Sequence, residues 1–261
     1  MDYSILREND IRGVYGKNIT EEVAYIVGCA FGTYLKNNNK NECVIGYDNR
    51  LSGESLVKEL IKGLISTGIN IKFIGMATTP LLNYATIILN IEAGIMVTAS
   101  HNPSNENGFK LFGEKFLHVK RDELLKIYEL IKNKEFIIGE GKVTYIDVRD
   151  KYYNMLNAYI KNGKKRLKVA IDPGNGTTCI LIKEIISKLN IEPIYLNDKS
   201  DGSFPVHNPD PNVDSNLIGL KNTVVSEKCD FGVAFDGDGD RVGIVDELGN
   251  TVESDKLIAI F

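Results

Sequence analysis

The sequence predicts an α/β protein made of repeated mixed α/β domains, each with helices packed on a central sheet. Three observations carry that prediction. Short β-branched runs alternate with stretches whose apolar residues recur at helical spacing. The same order of elements occurs twice, from residue 43 to 75 and again from 167 to 196. In each copy an aspartate, Asp48 or Asp172, ends the first strand. Strand, helix and strand in that order form the βαβ unit of a sheet with parallel strands.

In the first copy, CVIGYDNR and INIKFIG flank a segment where Leu56, Val57, Leu60, Ile61, Leu64 and Ile65 mark one helical face. A strand at GIMVTA and a helix at RDELLKIYELIKNKE follow. The stretch from Asp147 to Lys165, polar at both ends, reads as a helix connecting two domains, with the boundary near residue 150. In the second copy Leu181, Ile182, Ile185, Ile186 and Leu189 form the stripe, and CDFGVAFDGDGDRVGIVDELG adds a strand, a loop and a strand. After the turn at ELGN, the run KLIAIF starts another apolar helix and stops at Phe261, which reads as the front part of a longer protein. The expected division is therefore 1–150, 151–253, and a short opening of a third domain at 254–261.

A chain of 261 residues suits about two domains. At 43% hydrophobic and 25% charged residues, with 24 Gly and 7 Pro, disordered and collagen-like chains are excluded. The formal charge is −4, from 31 basic and 35 acidic side chains, and no block of five like charges occurs. That balance argues against nucleic acid or an anionic membrane as partner. The N-terminus has no apolar leader core, and no window approaches the roughly 18 apolar residues of a membrane span. Cys29, Cys43, Cys179 and Cys229 form no C-x-x-C pair and read as reduced thiols in a cytoplasmic protein.

Two segments carry chemistry. The run GIMVTA ends in Thr98-Ala99-Ser100-His101-Asn102-Pro103, small polar residues at a strand's carboxyl end, where open α/β sheets place ligands. Such residues also cluster in turns for backbone reasons alone. No G-x-S-x-G elbow is present, which removes a serine hydrolase. The sharper segment is Asp236-Gly237-Asp238-Gly239-Asp240-Arg241. Alternation puts three carboxylates on one side of an extended chain, and the glycines let it curl around one ion. Hard oxygen donors in that number suit Mg²⁺. The spacing mimics an EF-hand, with Glu247 at the twelfth position, but Arg241 stands at the sixth, where that loop needs glycine, and the flanks read as strands. A phosphatase that uses Asp236 as nucleophile is the competing reading of the same loop. Arg241 and Arg12 offer guanidinium forks for a phosphate. The loop from Phe204 to Pro211, with His207, reads as rigid and ligand-facing.

Together these motifs resemble the α-D-phosphohexomutase superfamily, in its phosphomannomutase/phosphoglucomutase branch. TASHNP (98–103) resembles the family's phosphoserine loop, NGFK (107–110) its continuation, DGDGDR (236–241) its metal loop, and DIRG (10–13) its N-terminal motif. DPGNG (172–176) and PVHNPDPNV (205–213) fit as well. Two positions depart, Asn9 where an aromatic residue is common and Asn208 where a second histidine is usual, and both bear on substrate preference. The resemblance implies the first two of four domains and the start of the third. It implies that Ser100 carries a phosphoryl group and, with Asp236, Asp238 and Asp240, holds Mg²⁺. It further implies that His101 and Lys110 handle protons, that Arg12 and Arg241 hold the serine loop and the phosphate, and that Asn102 and His207 contact substrate. A hexose phosphate would be the substrate and a hexose 1,6-bisphosphate the intermediate. Besides the phosphohydrolase, a metal-binding fragment inactive by itself is a third possibility. Preferred hexose and oligomeric state stay open.

Overall fold

In the computed structural model, which describes residues 5, 7, 10–113 and 117–260, the chain begins with strand β1 (Asp10–Val14) and helix α1 (Glu21–Asn37). Then come β2 (Glu42–Tyr47), α2 (Gly53–Ile65), β3 (Asn70–Met76), α3 (Thr79–Leu89) and β4 (Gly94–Val97). The first unit ends with β5 (Glu106–Phe112), α4 (Arg121–Asn133) and β6 (Val143–Tyr145). Its sheet has the order β1-β5-β4-β2-β3-β6. Strands β2, β3, β4 and β6 run parallel, whereas β5 is antiparallel to both β4 and β1. The reversal follows from loop length, because residues 98–105 are too few for a crossover and can only turn the chain back.

Helices α1 and α3 are additions to the sequence reading. Thr20 caps α1 by accepting from the Val23 N–H at 3.2 Å, with Glu21 and Glu22 in the first turn and Lys36 in the last, which suits the helix dipole. In α3, Thr78 caps the start, Pro80 occupies the first turn, and Asn90 closes the end at φ 52°. Helices α1 and α2 cross at glycines. A Cβ on Gly28 would stand 2.3 Å from the Leu60 carbonyl, and one on Gly63 would stand 2.1 Å from the Tyr25 carbonyl. That approach buries Phe31, Leu35, Leu56, Leu60 and Leu64 with Ile45 and Phe109 of the sheet in one core.

The second unit contains α5 (Arg149–Tyr159), β7 (Leu167–Asp172), α6 (Ile182–Ile186), β8 (Ile191–Tyr195), α7 (Ile218–Ser226), β9 (Phe231–Phe235), β10 (Val242–Asp246), β11 (Thr251–Val252) and α8 (Ser254–Ile260). Its sheet has the order β11-β10-β9-β7-β8, with β7 parallel to β8 and β9 and antiparallel hairpins beyond. Helix α6 is shorter than its apolar stripe. A 3₁₀ turn over Thr177–Ile180 precedes it, and the Ser187 hydroxyl turns back to the Glu184 carbonyl at 2.7 Å. Leu217, Leu220 and Val224 pack on Ala170, Ala234 and Val245.

The two compact units divide at Val148 and Arg149, with one exchange: Ser100–Ser104, which the sequence reading assigns to the first domain, groups with the second unit. Among the described residues no helix is long and apolar enough to cross a membrane. All four cysteines are free thiols; Cys29, Cys43 and Cys229 are buried and Cys179 is half-buried. Burial pushes up the thiols of Cys43 and Cys229, and that of Cys179 to about 12.

Candidate active site

Residues 98–105 leave the carboxyl end of β4 and return through β5. Within them Ser100 is fully buried at φ +55°, a left-handed conformation that costs a non-glycine residue about 1–2 kcal/mol. Its hydroxyl donates to Asp236 Oδ2 at 2.8 Å. Asp236 follows β9 and opens the tight turn to β10, where Gly239 sits at φ +73°. The backbone N–H groups of Asp240 and Arg241 both donate to Asp236 Oδ1 at 3.0 Å. Gly237 admits the serine loop, since a Cβ there would lie 2.4 Å from the Ser100 carbonyl oxygen.

Asp236, Asp238 and Asp240 each present an oxygen, and these atoms lie within 4.8 Å of one another. The first two side chains are buried and the third is exposed. Burial, and then the neighbouring carboxylates of Asp238 and Asp240, push Asp236 up to about 8, against the hydrogen bonds from Ser100 and the Arg241 backbone. Three hard oxygen donors this close suit a divalent cation. The flanking strands β9 and β10 form a hairpin, so this is not the helix–loop–helix of an EF-hand.

His101 adjoins the serine. Arg241 donates from its guanidinium to His101 Nδ1 at 2.9 Å, and because a guanidinium has no acceptor, that nitrogen must carry the lone pair. The other ring nitrogen, Nε2, lies 4.0 Å from Asp210 Oδ2. Asn102 is half-buried in the same loop.

His207 sits at the end of β7. Its Nε2 lies 3.1 Å from Asp172 Oδ2 and its Nδ1 2.9 Å from the Asn208 carbonyl, while Asn197 donates to the same carboxylate. The hydrogen bond to Asp172 holds the imidazole above its usual range, against burial. Both ring nitrogens thus have partners within the protein, and His207 ties its loop to the end of β7.

Two expected site residues belong to the first unit. Arg12, on β1, is ion-paired with Asp10 at 2.6 Å and donates to the Ala99 carbonyl at 3.1 Å, immediately before Ser100. Lys110 is buried on β5, opposite Asp10 in the strand register. Asn9 and Phe261 lie outside the described residues. Asp210 belongs to the loop from Phe204 to Pro211, and Arg50, which no motif marks in the sequence, is buried beside Asp48.

Comparison with known proteins decides the family. Residues 4–137 match the domain described as "Phosphoglucomutase/phosphomannomutase, alpha/beta/alpha domain I", and residues 148–249 match domain II of the same family. The chain belongs to the phosphoglucomutase/phosphomannomutase family. Among curated relatives, a protein of Pseudomonas putida named phosphomannomutase/phosphoglucomutase is 39% identical over 260 residues, covering 99% of this chain and 55% of the relative. Another, of Methanosphaera stadtmanae, carries the name "Probable phosphoglucosamine mutase" and is 40% identical over 256 residues, 96% of this chain and 56% of its own. A solved family structure from Burkholderia thailandensis superposes with a TM-score of 0.95 at 33% identity, covering all of this chain and 58% of that one. The chain spans about half the length of the curated relatives it matches. The family's domain I and domain II therefore account for the two units and for every element that carries the serine and aspartate loops.

Proposed function

We propose that the protein is a phosphohexomutase that interconverts hexose 1-phosphate and hexose 6-phosphate, of glucose, mannose or both, through a phosphoserine at Ser100. The observation that carries this reading is the buried Ser100 hydroxyl hydrogen-bonded to Asp236, the first of three converging carboxylates. In the forward step the bond from phosphorus to Ser100 Oγ breaks while one forms to the free hydroxyl of the sugar, whose proton passes to His101 or Lys110. The resulting hexose 1,6-bisphosphate turns over, and its other phosphoryl returns to Ser100. Asp236 holds the hydroxyl of the dephosphorylated serine through Oδ2. Arg241 keeps His101 Nδ1 as an acceptor, and Arg12 fixes the carbonyl before the serine. Asp236, Asp238 and Asp240, with the Ser100 oxygen, would hold Mg²⁺. Bound there, the ion supplies neutralisation of the negative charge on the transferring group.

The phosphohydrolase alternative needs a free Asp236 oxygen to attack phosphorus. Its Oδ2 accepts from Ser100 and its Oδ1 from two backbone N–H groups, which favours a holding role. The direct test is phosphopeptide mass spectrometry after incubation of the full-length protein with glucose 1,6-bisphosphate and Mg²⁺. Phosphate is expected on Ser100, and an unlabelled Ser100 would overturn the reading.

The carboxylate cluster has a pH signature. An unfolded aspartate ionises near 3.9, whereas Asp236 is pushed up to about 8 in the fold, so the unfolded state sheds its proton first. Metal-free stability should therefore fall as pH rises from about 4 to about 8 and level off above that. Added Mg²⁺ should raise the melting temperature more at about pH 8 than at about pH 5. Equal Mg²⁺ stabilisation at both would remove the metal assignment.

A further inference from the structure

A buried polar network joins Thr98 and Glu106, the residues that flank the serine loop, and takes no part in the chemistry above. Asp48 and Arg50 have side chains with 0% exposure and are paired at 3.1 Å through Arg50 Nε. A buried ion pair this complete is costly to desolvate, and it persists only when its remaining donors and acceptors are engaged. Two of its contacts lead to the loop. Asp48 Oδ2 accepts the Thr98 hydroxyl at 2.6 Å, at the loop's entry. Arg50 Nη1 donates to the Glu106 carbonyl at 3.0 Å, at the loop's exit. One residue further, Asn107 Nδ2 donates to Ser52 Oγ at 2.8 Å. The Arg50 backbone N–H returns to Asp48 Oδ1 at 3.1 Å, so the pair is itself held in a tight turn after β2.

We propose that Arg50 is a positioning residue for phosphoryl transfer: with Asp48 it ties Thr98 to Glu106 and so fixes both stems of the loop that presents Ser100. The fork geometry is what the role requires. A guanidinium reaches the carboxylate with Nε and the carbonyl with Nη1 at once, whereas an ammonium is a single point that cannot span both. Ser100 needs such support because its left-handed backbone is not one a serine adopts unaided. Arg12 holds the entry side at Ala99, and Arg50 with Asp48 links the entry to the exit.

The consequence for turnover rests on the mutase reading above, and the test separates the two. In the full-length protein, Arg50→Lys keeps charge and most of the volume. Its kcat on hexose phosphates should fall about 10–100-fold with KM within about threefold, since misplacement near 1 Å costs on that scale. Peptides covering residues 99–105 should exchange their amide hydrogens at least about tenfold faster, with β9 peptides unchanged. Thr98→Val removes only the hydroxyl on Asp48 and should move both readouts in the same direction by less. It decides by the same criteria if Arg50→Lys does not fold. Unchanged loop exchange, or a lower melting temperature with unchanged kcat, would overturn the proposal. If the wild type fails to turn over any hexose phosphate, the mutase reading falls, and loop exchange alone judges Arg50.

Discussion

Replacing Ser100 by alanine in the full-length protein should lower hexose phosphate isomerisation by about 10³-fold or more, as removal of an essential covalent carrier does. Alanine meets the same left-handed backbone at φ +55°, so the variant should fold. Asp236→Asn should also lose most activity, and in addition it should abolish the pH-dependent Mg²⁺ stabilisation. The pair of variants separates the two chemistries that the aspartate loop permits. A phosphohydrolase that attacks through Asp236 would keep its phosphomonoester hydrolysis in Ser100→Ala and lose it in Asp236→Asn. Coupled isomerase and phosphate-release assays on both variants measure this. Isomerisation surviving in Ser100→Ala would remove the phosphoserine.

The largest stability effect should come from a position far from the chemistry. Gly63→Ala places a methyl group 2.1 Å from the Tyr25 carbonyl, a backbone atom that cannot rotate away. The helices α1 and α2 must then separate, which opens the core around Phe31, Leu60 and Leu64. The cost should reach about 3 kcal/mol, the upper part of the range for overpacked cores. At about 2–4 °C per kcal/mol for a chain of this size, the melting temperature should drop by roughly 6–12 °C. Gly163→Ala is the control, since nothing stands within 4 Å of its added methyl group. A change below about 0.5 kcal/mol in Gly63→Ala would show that the helices slide at no cost.

What could be read from the sequence was whatever repeats at a period or concentrates one chemistry. The stripe from Leu56 to Ile65 is amphipathic, so α2 was legible. DGDGDR was legible because three acids at alternate positions are expensive unless something gathers them. The run TPLLNYATIIL shows no stripe, being apolar on most sides, and so α3 was not. The direction of β5 depends on the length of a loop whose ends are known only once both strands are placed. His207 illustrates another limit. Its residue type is plain, but the carboxylate that holds the ring, Asp172, is distant in sequence. Arg50 was invisible for a like reason, because its long-range partner is the Glu106 carbonyl, far along the chain and announced by no residue type.

The placement of the thiols gives the protein a built-in gauge of its own breathing. Cys43 lies in β2 of the first unit and Cys229 just before β9 of the second, both buried, and burial makes each thiol harder to ionise. An alkylating reagent attacks only a thiolate that has met water, so each cysteine reacts only during excursions that open its surroundings. Alkylation rates resolved by peptide would therefore report the opening equilibrium of each unit separately, in the unmodified chain, with no label introduced.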